Sequence, residues 1–303
     1  MELVWDIPGG RLTLTRPLVM GIVNVTPDSF SDGGAYPTAD AARDAALRMV
    51  AEGADLLDVG GESTRPGAAP VPADEQTRRV VPVIRALRAA GCPVPISVDT
   101  TRAAVAAESI RAGASIVNDV SAATDDAEML GVVARAGSGL ILMHRARKPD
   151  EDRYSDRYER PAMQGDVVAG VRAFLAGRLE DAVASGVARE RVALDPGLGF
   201  GKTVEQNLEL IRRGAEVAAL GRPVVSGISR KSFAGRVGLG RDSEPAERVW
   251  SSVGLAVAHA VRGAHVHRVH DVRAHAEALR AAWGLFGFGM AGRASEAWQG
   301  GEA

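Results

Sequence analysis

Residues 21–34 read GIVNVTPDSFSDGG, and this stretch decides the fold. It carries an apolar run, Leu18–Val23, into a loop with an amide (Asn24), two carboxylates (Asp28, Asp32), hydroxyls and a closing glycine pair. An apolar run ended by polar chemistry marks a buried parallel strand that delivers functional groups to the mouth of an α/β barrel. Further strand-like runs follow at Leu56–Val59, Val94–Val98, Ser115–Val117, Leu140–Met143, Val192–Leu194, Val224–Gly227 and Ala264–Val269. They alternate with Ala-, Leu- and Arg-rich helical stretches near 39–52, 73–90, 102–111, 126–136, 166–186, 204–219, 245–262 and 272–283. Eight β-then-α units make a (β/α)8 TIM barrel the leading fold. A doubly wound open sheet is the alternative, because counting units does not prove closure.

Residues 3–15 read as a short N-terminal hairpin around Pro8-Gly9-Gly10, suited to plug the barrel floor. One barrel is expected over residues 1–284, followed by a glycine-rich, flexible tail over 285–303. The 303 residues suit a single barrel of ~250 residues, and the 46% apolar content supplies its core. A net charge of -2 argues against a nucleic-acid partner and gives no sign of a membrane one. The single cysteine, Cys92, excludes an internal disulfide and fits a reducing, cytoplasmic setting. The first residues lack a secretory signal, and no apolar run approaches the ~20 residues of a membrane span.

In an α/β barrel the strand carboxyl ends and the loops after them form the site. Those positions hold Asn24; Asp58 with Glu62, Thr64 and Arg65; Asp99; Asn118 with Asp119; His144; Asp195; Ser229, Arg230 and Lys231; and Arg268 with His270. Any one of them reads as a cap or a satisfied loop contact, which is the preferred reading for Asp119 and Ser121. So many at one face are better explained by a site. Carboxylates and an amide at Asp99, Asn118 and Asp195 suit a flat heterocycle with several N–H donors and carbonyl acceptors. Basic groups after the last two strands stand where barrels commonly bind phosphate. A two-part ligand is implied, with a hydrogen-bonding ring below and an anion above.

Three motifs are set aside. Gly197–Thr203 (GLGFGKT) lacks the glycine spacing of a P-loop and does not fit a dinucleotide fingerprint. Its glycines are expected to let the chain pass close over a flat ligand, with Phe200 as an apolar wall. His265-Val266-His267 suggests a metal pair, but if Arg268 and His270 face inward, alternation turns both histidines outward. The charged run Arg145–Arg160 (RARKPDEDRYSDRYER) reads as a solvated loop whose position also allows part of it to cover the mouth.

With these residues in view, the chain resembles the dihydropteroate synthases. The matching stretches are GIVNVTPDSFSDGG at 21–34, DVGGESTRPGA at 58–68, SVDT at 97–100, NDVS at 118–121 and LMH at 142–144. DPGLGFGKT at 195–203, SRKS at 229–232 and RVHDV at 268–272 complete the set. The resemblance implies a (β/α)8 fold and condensation of 6-hydroxymethyl-7,8-dihydropterin diphosphate with 4-aminobenzoate in folate synthesis. It also implies Mg2+, a homodimer and sensitivity to sulfonamides.

By the same resemblance, Asp99, Asn118, Asp195 and Lys231 hold the pterin ring, with Met143 lining that pocket. Asn24 helps position Mg2+ on the diphosphate, whose oxygens meet Arg268 and His270. Phe30 and Asp32 sit on a first mobile loop, with Gly33-Gly34 as its hinge, and Thr64, Arg65 and Pro66 sit on a second. These loops shape the 4-aminobenzoate pocket with Phe200, Lys231 and Ser232. Backbone N–H groups after Ser232 receive the aminobenzoate carboxylate if a helix starts there. Asp32, Arg65 and Lys231 are the expected catalytic residues of a dissociative substitution. Two other classes compete: a pterin-dependent methyltransferase and a non-catalytic pterin-binding homologue. One departure stands out, because Arg145-Ala146-Arg147 and the charged run replace the Met and Gly/Pro turn that usually follow LMH.

Overall fold

The structure is a computed structural model that describes residues 3–25, 38–285 and 298–300. It opens with an antiparallel hairpin of β1 (Val4–Ile7) and β2 (Gly10–Thr13). Then come β3 (Leu18–Asn24), α1 (Ala39–Ala51), β4 (Leu56–Gly60), α2 (Ala73–Ala89), β5 (Ile96–Asp99) and α3 (Ala103–Arg111). The middle of the chain forms β6 (Ile116–Asp119), α4 (Met129–Ala136), β7 (Gly139–Met143), α5 (Val167–Ala184) and β8 (Val192–Asp195). The last third forms α6 (Val204–Arg212), α7 (Gly214–Ala218), β9 (Val225–Ser226), α8 (Ser232–Leu239) and α9 (Val249–Val261). It ends with β10 (Val266–Val269), α10 (Val272–Leu285) and β11 (Trp298–Gly300).

Strands β3 to β8 pair in parallel in chain order, and β10 lies between β3 and β9. A parallel bridge between Leu194 and Val224, with the Leu194 N–H on the Pro223 carbonyl at 2.8 Å, joins the two remaining ends. The sheet is therefore a (β/α)8 barrel, and the open-sheet alternative falls. Alternation along the strands sorts the apolar residues into two layers. Leu18, Met20, Leu56, Ile116, Ile141, Ala193, Val225 and Val266 pack together with Trp5, Ile7, Leu12 and Leu14 of the hairpin. Trp5 is fully buried and its indole N–H donates to the Arg191 carbonyl at 2.8 Å, so the hairpin plugs the floor. Their strand neighbours, such as Val19, Leu57, Val98 and Leu140, pack outward against Val80, Ile84 and Leu175 of the helices.

Side chains set the helix starts. Thr38 accepts the Ala41 N–H at the head of α1, Asp166 accepts two N–H groups at the head of α5, and Thr203 with Gln206 forms a capping box on α6. The expected helix near 204–219 is broken at Arg213, where helix-weak Gly214 follows. The helix expected from 126 starts only at Met129, because Asp126 caps other chain: its carboxylate accepts the Ala103 and Glu128 N–H groups. α8 is an additional helix beyond the eight-unit count, at the place where barrels often carry one for phosphate. Within the glycine-rich tail, Trp298–Gly300 pairs with β2 as a third strand where coil was expected. Among the described residues no helix is long and apolar enough to cross a membrane.

Candidate functional site

The alternation that buries Leu56 and Ile116 in the floor turns Asp58 and Asn118, two residues on, into the mouth. Asp58 is fully buried, and its Oδ2 accepts Arg268 Nε at 2.6 Å and Asn118 Nδ2 at 3.0 Å. Arg268 extends to Asp99, with Nη2 donating to Oδ2 at 2.7 Å. One guanidinium on β10 thereby joins the neighbouring strands β4 and β5 across the intervening β3. Asp58 Oδ1 has no hydrogen-bond partner among the described residues, which in a buried carboxylate marks a place for a donor. Burial raises the Asp99 carboxyl above its ordinary value, with Arg268 opposing the rise and Asp58 and Glu62 adding to it. Burial works against the Arg268 charge, but Asp58 and Asp99 hold its pKa above the ordinary value.

Asp195 ends β8 and accepts the Gly197 N–H at 2.7 Å. Burial raises its carboxyl, and Lys231 opposes that rise. Burial pushes the Lys231 ammonium down to about 8, while Asp195 supports its charge. Lys231 Nζ donates to the Leu198 carbonyl and lies 4.4 Å from the centre of the Phe200 ring. Gly199 takes φ 83°, and a Cβ there would fall 2.7 Å from Lys231 Cδ. The glycines of this loop thus make room for the protein's own lysine, not only for a ligand. Met143, at the end of β7, is buried beside it.

The end of the mouth expected to meet an anion is built on β10 and the loop before α8. His270 donates its backbone N–H to Ser229 Oγ at 3.1 Å, and the same hydroxyl meets His270 Nδ1 at 3.1 Å. The hydroxyl keeps a second lone pair and its own proton, so it can meet Nδ1 in either tautomer of the ring. Burial, followed by Arg230 and Arg268, pushes the imidazole down to about 3, so His270 is held neutral. Arg230, at φ 60°, pairs with Asp271 at 2.7 Å and belongs to the scaffold. α8 starts at Ser232 with no side-chain cap on its first N–H groups, which fulfils the condition set for an anion there.

On the loop after β4, Glu62 accepts the Val71 N–H at 2.6 Å and Gln76 Nε2 at 3.1 Å, which fixes the path carrying Thr64, Arg65 and Pro66. Arg65 lies close enough to affect His270. Asn24, half-buried, ends β3 at the same rim. Asp28, Phe30, Asp32 and the glycine pair lie outside the described residues.

Asp119 is a loop clasp, as its cap reading expected, because it accepts Ser121 N–H at 2.7 Å and Ala123 N–H at 3.1 Å. His144 is withdrawn from the mouth: its Nδ1 meets Lys202 Nζ at 3.0 Å, and burial with Lys202 pushes it down to about 3. Lys202 was missed in the sequence. It is fully buried and donates to the Gly197 carbonyl at 2.8 Å and the Phe200 carbonyl at 3.0 Å. His265 Nδ1 accepts the Val224 N–H at 3.1 Å, and His267 is buried near His259 and His275, outside the mouth. Among the described residues no three His, Cys, Asp or Glu side chains converge as a metal-ligand set.

A family model described as pterin binding enzyme matches residues 20–270. A dihydropteroate synthase of Synechocystis sp. is 42% identical over 271 residues, covering 89% of this chain and 91% of the relative. A solved Xanthomonas albilineans dihydropteroate synthase with 4-aminobenzoic acid superimposes with a TM-score of 0.83 at 43% identity, over 95% of this chain and 99% of that one. The same organism's enzyme in complex with 7,8-dihydropteroate gives a TM-score of 0.80 at 41% identity, over 94% and 99%.

Proposed function

The chain belongs to the dihydropteroate synthases of the pterin-binding enzyme family, and on that premise we propose that it joins 6-hydroxymethyl-7,8-dihydropterin diphosphate to 4-aminobenzoate. The products are 7,8-dihydropteroate and diphosphate. The observation that carries this reading is the Asp58–Arg268–Asp99 bridge with Asn118 on the same Asp58 oxygen. It sets ring-reading groups and an anion-binding cation side by side in one buried mouth.

In this reading Asp99, Asn118 and Asp195 bond the donor and acceptor edge of the pterin, and Met143 packs on its face. Lys231 caps the ring beside Phe200. Arg268 has Nε and Nη2 engaged and offers Nη1 to the diphosphate, and His270 joins it in the tautomer that carries its proton on Nε2. During the reaction the methylene C–O bond breaks and its electron pair goes to the diphosphate oxygen. The arylamine nitrogen forms the new C–N bond and releases a proton. The buried carboxylate of Asp195 favours the cationic carbon electrostatically, and the guanidinium favours the leaving anion. Thr64, Pro66, Phe200 and Ser232 form the arylamine site, where the open N–H groups of α8 suit its carboxylate. Arg65, with Phe30 and Asp32 beyond the described residues, keeps the role the resemblance implies.

Asn24 offers one neutral oxygen at the rim, a donor set that fits an ion held mainly by water and substrate phosphate, as Mg2+ is. Bound there, Mg2+ would neutralise charge developing on the leaving diphosphate. The test is incubation with the pterin diphosphate, 4-aminobenzoate and Mg2+, with dihydropteroate sought by mass. Its formation supports the reading. Pterin binding without product would leave the non-catalytic alternative standing, and methyl transfer from a folate would favour the methyltransferase.

A further inference from the structure

The charged run after β7 is not a free solvated loop. Asp152 in it is only 7% exposed, and a carboxylate withdrawn that far must be satisfied by the protein. Its Oδ1 accepts the Arg153 N–H at 2.7 Å and the Tyr158 hydroxyl, and its Oδ2 accepts the Gly201 N–H at 2.9 Å. Gly201 follows Phe200 directly. On the other side of Phe200, the Gly199 N–H donates to Asn207 Oδ1 at 2.6 Å, and Asn207 Nδ2 donates to Ser155 Oγ at 3.1 Å. Both amides that bracket Phe200 are thus tied to the charged run, one directly and one through a single side chain. The contact is close throughout, since a Cβ at Gly201 would fall 2.7 Å from that of Ala146. The run also reaches the second mouth loop, where the Gly67 N–H donates to the Pro149 carbonyl at 2.7 Å.

We propose that Asp152 is a positioning residue that fixes the Phe200 wall through Gly201 and so sets affinity for the arylamine substrate. The proposal rests on Phe200 being a wall of the 4-aminobenzoate site. Asp152 touches no proposed substrate atom. Phe200 is also the ring beneath Lys231, so its displacement loosens the arylamine pocket while Asp99, Asn118 and Arg268 keep their own contacts.

The test compares wild-type protein with Asp152→Ala and Asp152→Asn. The alanine variant is expected to raise KM for 4-aminobenzoate roughly tenfold, and to leave KM for the pterin diphosphate within about twofold. The asparagine variant keeps an acceptor for the Gly201 N–H and restores most of the affinity. Hydrogen exchange at residues 197–203 is read alongside, and faster exchange at Gly201 in Asp152→Ala supports the placement. Equal rises in both KM values, or an exchange rate unchanged in Asp152→Ala, would overturn it. If wild-type protein makes no dihydropteroate, the functional reading fails, while the exchange comparison still decides whether Asp152 holds Gly201.

Discussion

At the scale of single residues, the site depends on one carboxylate that the sequence only half discloses. Asp58 stands at a strand end like its neighbours, so a place in the mouth was legible. That it bonds both Asn118 and Arg268 was not, because those partners lie 60 and 210 residues away in the chain. Local pattern carries no information about such contacts. Removing Asp58 strips Arg268 Nε and Asn118 Nδ2 of their buried acceptor and leaves Asp99 as the only carboxylate bonded to the guanidinium, so Asp58→Ala should cost about 3 kcal/mol in urea unfolding. Asp58→Asn, which keeps one acceptor, should cost less. A loss below about 1 kcal/mol in the alanine variant would mean that the bridge is not made in solution. Lys202 shows the opposite failure. A lysine after a glycine run reads as exposed or phosphate-binding, yet burial pushes this one down to about 7 while four polar atoms hold it.

Among the elements, the barrel strands were legible because strands covered on both faces need apolar runs, and only their ends can hold polar groups. Closure was not, because it depends on the Leu194–Val224 bridge next to a strand of just Val225–Ser226. Pro223 has no N–H to offer there and instead supplies the carbonyl that Leu194 bonds. The split between α6 and α7 was hidden because Ala, Leu and Arg keep a helical period through Gly214. The hairpin is the element most open to a direct test of packing. Trp5 fills the barrel floor and bonds the Arg191 carbonyl, so Trp5→Ala should cost about 3–5 kcal/mol in denaturant unfolding. Stability within 1 kcal/mol of wild type would show that the barrel closes without its plug.

For the whole molecule, buried histidines and a buried carboxylate shift stability in opposite senses as pH changes. Burial lowers the imidazoles of His259 and His265 to about 4 and holds His267 well below its ordinary value. Their folded pKa values lie below the unfolded value of about 6.5, so they favour folding above it and lose that contribution as pH falls. Asp119, pushed up to about 6 by burial, acts in the opposite sense, so the raw slope mixes both. The difference between wild type and His267→Phe isolates the histidine. Wild type should lose up to about 1.4 kcal/mol per pH unit relative to that variant between pH 6.5 and 5. A difference independent of pH would contradict burial of a neutral His267.

At the same scale, the proposed function requires one mouth, built from the strand ends, with a ring-binding end and an anion-binding end. Arg268 is the residue proposed to join them, because it is paired with Asp58 and Asp99, and Nη1 is the nitrogen assigned to the anion. Calorimetry of 6-hydroxymethyl-7,8-dihydropterin with and without its diphosphate, on wild type and Arg268→Ala, tests this most directly. The account predicts that the variant loses on the order of 1.5–3 kcal/mol more for the diphosphate than for the free pterin. Equal losses for both ligands would contradict it.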